Sequence, residues 1–68
     1  MAKVYVKVQE GTPMAAVEAA MKVVGVDEIT WNGDWRVEGV LHEGQGVPGF
    51  FSGIRAALGD RVVETGEV

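Results

Sequence analysis

The sequence contains no cysteine, which excludes a disulfide framework and a thiolate metal site. It also has no apolar run near the roughly 20 residues that a membrane-spanning helix needs. The first stretch, MAKVYVKVQEG, alternates apolar and polar residues and lacks the continuous apolar segment of a signal peptide. These absences predict a cytoplasmic protein that has no membrane partner.

Positive charge is scarce and scattered. Ten acidic residues outnumber six basic ones, which gives a net charge of −4. The basic residues are Lys3, Lys7, Lys22, Arg36, Arg55 and Arg61. Proteins that bind nucleic acid concentrate positive charge on one face, and this chain would repel a phosphate backbone. We therefore expect no direct nucleic-acid partner.

Groups for catalysis and for metal binding are also few. The single histidine, His42, precedes Glu43, but adjacent residues of a strand point to opposite faces, so they are not expected to form a pair. Ser52 and Thr65 have no partner at a spacing that would make either a nucleophile. The sequence predicts a non-enzyme with no catalytic residue, no metal site and no cofactor.

The length of 68 residues predicts one domain, residues 1–68. A chain this short buries only roughly 60% of its unfolded surface. Small scaffolds without disulfides or metals often depend on association for their stability. We therefore expect a homo-oligomer, either a dimer or a larger assembly.

Hydrophobic periodicity predicts the first strand and the first helix. Lys3 to Val8 alternates with a period of two, which is typical of a strand. In the next segment, GTPMAAVEAAMKVVGV, Thr12 is suited to the N-cap and Pro13 to the first helical position. Gly25 is suited to the left-handed position after the helix. The expected apolar stripe consists of Met14, Val17, Met21 and Val24.

The segment VDEITWNGDWRVEGVL predicts a hairpin whose turn contains Asn-Gly. A three-residue loop, Asn32-Gly33-Asp34, places Trp31 opposite Trp35 on one face, as cross-strand pairing prefers. Either Gly33 or Asp34 would then have a positive φ. The two tryptophans are expected to form an apolar layer under the helices, and the alternative is that they line a ligand site.

A second helix is predicted in VPGFFSGIRAALGD, from Pro48 to a stop at Gly59, and RVVETGEV forms a last strand. The order β-α-β-β-α-β predicts an α+β fold, the ferredoxin-like plait, in which an antiparallel sheet carries both helices on one face. The other face would present Tyr5 and Val40 among charged residues. This mixture favours dimerisation through the sheet.

The loop HEGQGVPGFF, from His42 to Phe51, has three glycines before the second helix. Glycines and a helix start are features of phosphate-binding loops. The Gly-Lys-Ser/Thr of a P-loop is missing, however, and Pro48 removes one backbone amide. The loop also resembles the GxVQGVGFR loop of acylphosphatases, but Phe51 stands in place of their phosphate-binding arginine. A connection between strand and helix is favoured, with a loop that binds a small ligand as the alternative.

Four short segments resemble the effector-sensing domains of the leucine-responsive/AsnC regulators and their stand-alone relatives. Those βαββαβ modules commonly carry KV..G, then GV.EV, a GDYD turn and a closing V..TET strand. The matching segments here are VKVQEG (6–11), GVDEI (25–29), NGDWR (32–36) and RVVETGEV (61–68). Arg36 replaces the second aspartate of the turn motif, and the chain has no helix-turn-helix.

This resemblance implies dimers that form through the sheet and bind small molecules, typically amino acids, between subunits. Gly33, Asp34 and Trp35 match turn residues near the effector cleft of the family. Together with the glycine loop they give the expected ligand-binding set, which is Asn32, Gly33, Asp34, Trp35, Gly44, Gly46 and Gly49.

A second resemblance is to the shell subunits of bacterial microcompartments, because AAVEAAMKVVGV is similar to their AIEAADAMVKAANV helix. It implies a structural role. The sequence therefore predicts a small oligomeric regulatory module that senses a small metabolite, such as an amino acid, at subunit interfaces. The alternative is a structural or accessory subunit of a larger assembly, either shell-like or the small subunit of an enzyme.

Overall fold

Four strands and two helices follow one another in the predicted order. The computed structural model describes residues 2–68. Their elements are β1 (Ala2–Val8), α1 (Met14–Val23), β2 (Val26–Asn32), β3 (Arg36–Leu41), α2 (Val47–Leu58), a 3-10 turn (Gly59–Arg61) and β4 (Val62–Glu67). The strands lie in the order β2-β3-β1-β4, and each neighbouring pair is antiparallel. The predicted α+β class, with an antiparallel sheet and two helices, is confirmed.

One face of the sheet and both helices share a single core. The alternating valines of β1 are almost fully buried, and they pack with the apolar stripes of α1 and α2. Burying each such side chain contributes about 1.5–3 kcal/mol. The residues that form this core are Val4, Val6, Val8, Val17, Ala20, Met21, Val26, Val37, Leu41, Phe50, Ile54 and Leu58. Within residues 2–68, the opposite face of the sheet carries no helix.

Both helices are short, with 10 and 12 residues. Within residues 2–68, none is long and apolar enough to cross a membrane. Gly53 allows the two helices to approach each other, since a Cβ atom there would lie 2.5 Å from Cγ1 of Val24. A glycine inside a helix costs up to about 1 kcal/mol relative to alanine, and here this cost is offset by packing between the helices.

The start of α1 differs from the expectation. Helix α1 begins at Met14, Pro13 occupies the N-cap position, and no side chain caps the helix. The side chain of Thr12 instead donates a hydrogen bond to the carbonyl oxygen of Gln9, at 2.6 Å, and the residue is buried. The prediction of a Thr12 N-cap was wrong because this hydroxyl closes the preceding turn.

The hairpin has a three-residue loop, but it is displaced by one residue from the predicted position. Asn32 pairs with Arg36 and Trp31 pairs with Val37, so the loop consists of residues 33–35. The predicted pairing of Trp31 with Trp35 was wrong. Trp35 instead extends the ladder of the neighbouring strand, because its carbonyl oxygen accepts a 3.0 Å hydrogen bond from the backbone N–H of Val8.

Candidate functional site

The predicted ligand-binding residues lie at opposite ends of β3. The turn, Asn32–Trp35, precedes this strand, and the glycine loop, residues 42–46, follows it. A strand of six residues is about 20 Å long. The structure therefore separates the two groups of residues, and each end has to be considered on its own.

The turn holds two consecutive non-glycine residues in the left-handed region. Asp34 has a φ of 65° and Trp35 a φ of 61°. Aspartate tolerates this conformation, but a residue as bulky as tryptophan rarely adopts it. Such backbone strain costs on the order of 1–3 kcal/mol per residue, persists only where the surroundings impose it, and is concentrated at functional sites. Asp34 confirms the expectation of a positive φ, whereas the left-handed Trp35 was not predicted.

A cleft of about 310 Å³ lies next to the turn on the helix-free face of the sheet; we call it the polar cleft. Cross-strand pairing brings its residues together, since Lys7 of β1 lies between Arg36 of β3 and Glu64 of β4. The cleft therefore holds charges of both signs. Its lining consists of Tyr5, Lys7, Asn32, Gly33, Asp34, Arg36 and Glu64.

Tyr5 forms the floor of the polar cleft and is held from several sides. Its cross-strand neighbour is Gly66, where a Cβ atom would lie only 2.8 Å from the ring. The absence of a side chain at Gly66 thus leaves room for the tyrosine ring. The phenol of Tyr5 donates a 2.8 Å hydrogen bond to Oε1 of Glu64. Cζ of Arg36 lies 4.0 Å from the centroid of the tyrosine ring.

The environment of Tyr5 changes its acidity. The hydrogen bond to Glu64, together with desolvation and the negative charge of that carboxylate, raises the pKa of Tyr5 above its ordinary value. The positive charge of Arg36 acts in the opposite direction. These interactions favour the neutral, hydrogen-bond-donating form of Tyr5.

Glu38 positions the arginine. Nε of Arg36 donates to Oε2 of Glu38 at 3.1 Å, while Nζ of Lys3 lies 3.5 Å from the other carboxylate oxygen. Arg36 thus uses its inner nitrogen for an internal ion pair. Its terminal nitrogens are the groups that suit a bidentate interaction with a ligand carboxylate.

A second cleft, of about 300 Å³, lies on the other side of the turn; we call it the apolar cleft. It is lined by Thr12, Met14, Trp31, Gly33, Asp34 and Trp35. Trp31 and Trp35 are half-buried and pack against the core, whereas the Met14 side chain is 53% exposed. Within residues 2–68, Nε1 of Trp31 is buried without a hydrogen-bond partner. The tryptophans therefore pack against the core and also line a cleft, and their role in a ligand site stays a prediction.

The glycine loop brings fewer side chains together than the turn does. Residues 42–46 are exposed, and the loop is closed by a hydrogen bond from the Gln45 backbone N–H to the His42 carbonyl oxygen, at 3.1 Å. Gly44, at a φ of 90°, provides the left-handed turn. Neither cleft includes Gly44, Gly46 or Gly49.

His42 does not pair with Glu43. Its Nε2 instead contacts Oδ2 of Asp27 on the neighbouring strand, and both side chains are more than half exposed. Among residues 2–68 there is no group of three or more histidine or carboxylate side chains that could hold a metal ion.

Sequence reasoning found part of the two clefts and missed the rest. Of the predicted residues, Asn32, Gly33 and Asp34 line the polar cleft, and Gly33, Asp34 and Trp35 line the apolar cleft. Trp31 was named only in the alternative that the tryptophans line a ligand site, and the residues that were not predicted at all are Tyr5, Lys7, Arg36, Glu64, Thr12 and Met14. The alternation of β1 does place Tyr5 and Lys7 on one face, but no sequence signal brings Glu64 beside them.

Comparisons of the chain with protein-family models, with curated proteins and with solved structures find no match. The two family resemblances therefore stay predictions, and the chemistry of the clefts is the basis for a functional hypothesis.

Proposed function

We propose that this chain is a small cytoplasmic regulatory module that binds a zwitterionic metabolite, with an amino acid as the leading candidate, in the polar cleft. The observation that supports this most directly is the presence of fixed charges of both signs around one cleft of about 310 Å³. Ligand sites commonly fall in this range of volume and use a few convergent polar groups to orient the ligand.

Each end of a zwitterion has a partner of the opposite charge. The terminal nitrogens of Arg36, with Lys7 beside them, suit the carboxylate of the ligand. Glu64 and Asp34 suit its ammonium group. Tyr5 lies between a negative and a positive side chain, because it donates a hydrogen bond to Glu64 and its ring is covered by Arg36. A ligand with only one charge would leave one of these pairs of side chains without a counter-charge.

The sheet order supports the finer fold proposal. From the other edge, the order is β4-β1-β3-β2, and we propose that this antiparallel sheet, with its β-α-β-β-α-β chain order, forms a ferredoxin-like plait. We propose that a second copy packs on the helix-free face and covers the polar cleft.

The binding proposal is tested by thermal unfolding and isothermal titration with each of the common amino acids. A ligand at a hundred times its Kd stabilises the folded state by about 2.7 kcal/mol. We expect Arg36→Gln and Glu64→Gln to lose this stabilisation. Arg55→Gln, an exposed arginine on α2, is the matched control and should retain it. If no amino acid binds, or if the control loses binding equally, the proposal is wrong.

The second candidate is a structural or accessory subunit, and the helix-free face supports it. This face has no helix over it and presents the half-buried Tyr5 and Val40 among charged groups. Light scattering across a concentration series separates the two candidates. An assembly whose mass and melting temperature are the same with and without amino acids favours the structural role.

A further inference from the structure

We propose that the apolar cleft is a second site, which binds a small organic cation of the methylated-ammonium type against Trp31 and Trp35, with Asp34 as the counter-ion. This proposal does not require that the amino-acid site exists, but Asp34 lines both clefts and its carboxylate pairs with one ligand at a time. It concerns the opposite side of the turn, where the chemistry of the lining differs.

The lining of this cleft has the composition that suits a soft cation. Trp31 and Trp35 line it together with Met14, a residue that is 53% exposed. The electron-rich face of tryptophan attracts ammonium groups more strongly than that of any other aromatic side chain, and sites for quaternary ammonium ligands are built from such rings. The polarizable sulfur of methionine packs well against methyl groups. Both tryptophans of the chain lie in this one cleft.

Charge at the rim points to the same class of ligand. Asp34 lines the cleft, and its carboxylate takes part in no ion pair within residues 2–68. The hydroxyl of Thr12 is already engaged with the Gln9 carbonyl oxygen, and within residues 2–68 Nε1 of Trp31 is buried without a hydrogen-bond partner. The net charge of −4 also attracts cations to the surface of the molecule.

The backbone supports a binding role for this turn. Trp35 has a left-handed conformation that tryptophan rarely adopts. That conformation places Trp35 in the lining of the cleft and removes it from the cross-strand pairing with Trp31 that the sequence favours. The cleft volume of about 300 Å³ accommodates a ligand the size of choline or tetramethylammonium.

The experiment titrates the protein with choline chloride while tryptophan fluorescence and the two indole N–H resonances are followed. Because no tryptophan lies elsewhere, both signals report on this cleft alone. The reference ligand is 3,3-dimethyl-1-butanol, the neutral carbon analogue of choline, and sodium chloride at equal ionic strength controls for salt. We expect saturable binding with a Kd of roughly millimolar order, as befits so small a ligand, and about two- to fivefold weaker binding of the neutral analogue.

Two variants identify the groups responsible, and a third serves as the control. Asp34→Asn removes the charge but keeps a residue that tolerates the left-handed turn, so it should weaken choline binding and leave binding of the neutral analogue unchanged. Trp35→Leu keeps an apolar side chain and should remove the preference for the cation. Glu64→Gln removes one carboxylate from the polar cleft only and should bind choline as the parent protein does.

Four outcomes would overturn the proposal. The first is choline binding that does not saturate, and the second is equal affinity for choline and its neutral analogue. The third is an equal loss of choline affinity in Asp34→Asn and Glu64→Gln. The last is occlusion of the tryptophans by a second copy of the chain. The last outcome is recognised by sedimentation, as indole signals that change with protein concentration and not with ligand. Backbone amide spectra of each variant establish that a loss of binding is not a loss of fold.

Discussion

The two ends of β3 make different use of unusual backbone conformations. At the glycine-loop end, the left-handed position is occupied by Gly44, and the surrounding side chains are exposed. At the turn end, the left-handed positions are occupied by Asp34 and Trp35, and clefts lie on both sides. A glycine adopts a positive φ at no steric cost, so its presence indicates only a bend. Tryptophan in the same region requires support from its neighbours, which makes the turn the stronger candidate for function.

The two ends also differ in how the rest of the molecule supports them. The backbone of β1 holds the turn through the hydrogen bond between Val8 and Trp35, and the core packs against both tryptophans. The glycine loop is attached mainly by the bond from the His42 N–H to the Gly25 carbonyl oxygen, at 2.9 Å, and by its own internal bond. Substitutions at the two ends should therefore have unequal effects.

The largest difference should come from shortening Trp31. Trp31→Ala removes a large side chain that packs against the core, and we expect a loss of about 3 kcal/mol in the free energy of unfolding. Gln45→Ala in the glycine loop should change the free energy of unfolding by less than about 0.5 kcal/mol. Urea denaturation measures both values. Similar losses at the two ends would show that the loop is as well supported as the turn.

Substitutions that interchange glycine and another residue should change the free energy of unfolding in opposite directions at the two ends. Gly44→Ala places a Cβ atom at a φ of 90° and should cost about 1 kcal/mol. Asp34→Gly relieves a strained position and should stabilise the fold by up to about 1 kcal/mol, reduced by the greater freedom of glycine in the unfolded chain. Thermal unfolding of both variants is the measurement. A loss of stability in Asp34→Gly would mean that the aspartate side chain supports the turn.

A smaller effect should show that Gly49, one of the predicted ligand-binding residues, is not a ligand contact. Gly49 lies in the first turn of α2, where a Cβ atom would meet no other atom within 4 Å. Gly49→Ala should stabilise the fold by about 0.5 kcal/mol, because alanine favours the helix. Its amino-acid affinity, measured by titration calorimetry, should equal that of the parent protein. Weaker binding would bring the glycine loop back into the candidate site.

The smallest effect concerns the titration of Tyr5 at the turn end. Because its pKa is raised in the folded state, Tyr5 stabilises the fold at pH values below its unfolded pKa, and this contribution is lost as the pH rises through the folded value. Glu64→Ala should lower the pKa of Tyr5, and Glu67→Ala should not. Phenolate absorbance reports on Tyr5 alone, since the chain has one tyrosine. Equal titrations in both variants would mean that the bond to Glu64 is not formed in solution.

Local sequence predicted the elements well and the turn less well. Period-two alternation located β1, the apolar stripe and Gly25 located α1, and Asn-Gly located the hairpin. The loop was displaced by one residue because its register depends on the bond between Val8 and Trp35, which joins different strands. Thr12 was assigned to the helix for a similar reason, since the competing acceptor on Gln9 is available only in the folded turn.

The sequence by itself determined the class of fold, the order of the elements and the presence of the hairpin turn, because these depend on periodicity and on turn residues that act over a few positions. Only the tertiary structure decided which side chains form the clefts. Tyr5 and Glu64 are 59 residues apart and meet through the pairing of β1 with β4. Trp31 and Met14 line one cleft because α1 packs over the hairpin. Such contacts follow from sheet order and helix packing, whose energy is spread over the whole core and is not written in any local motif.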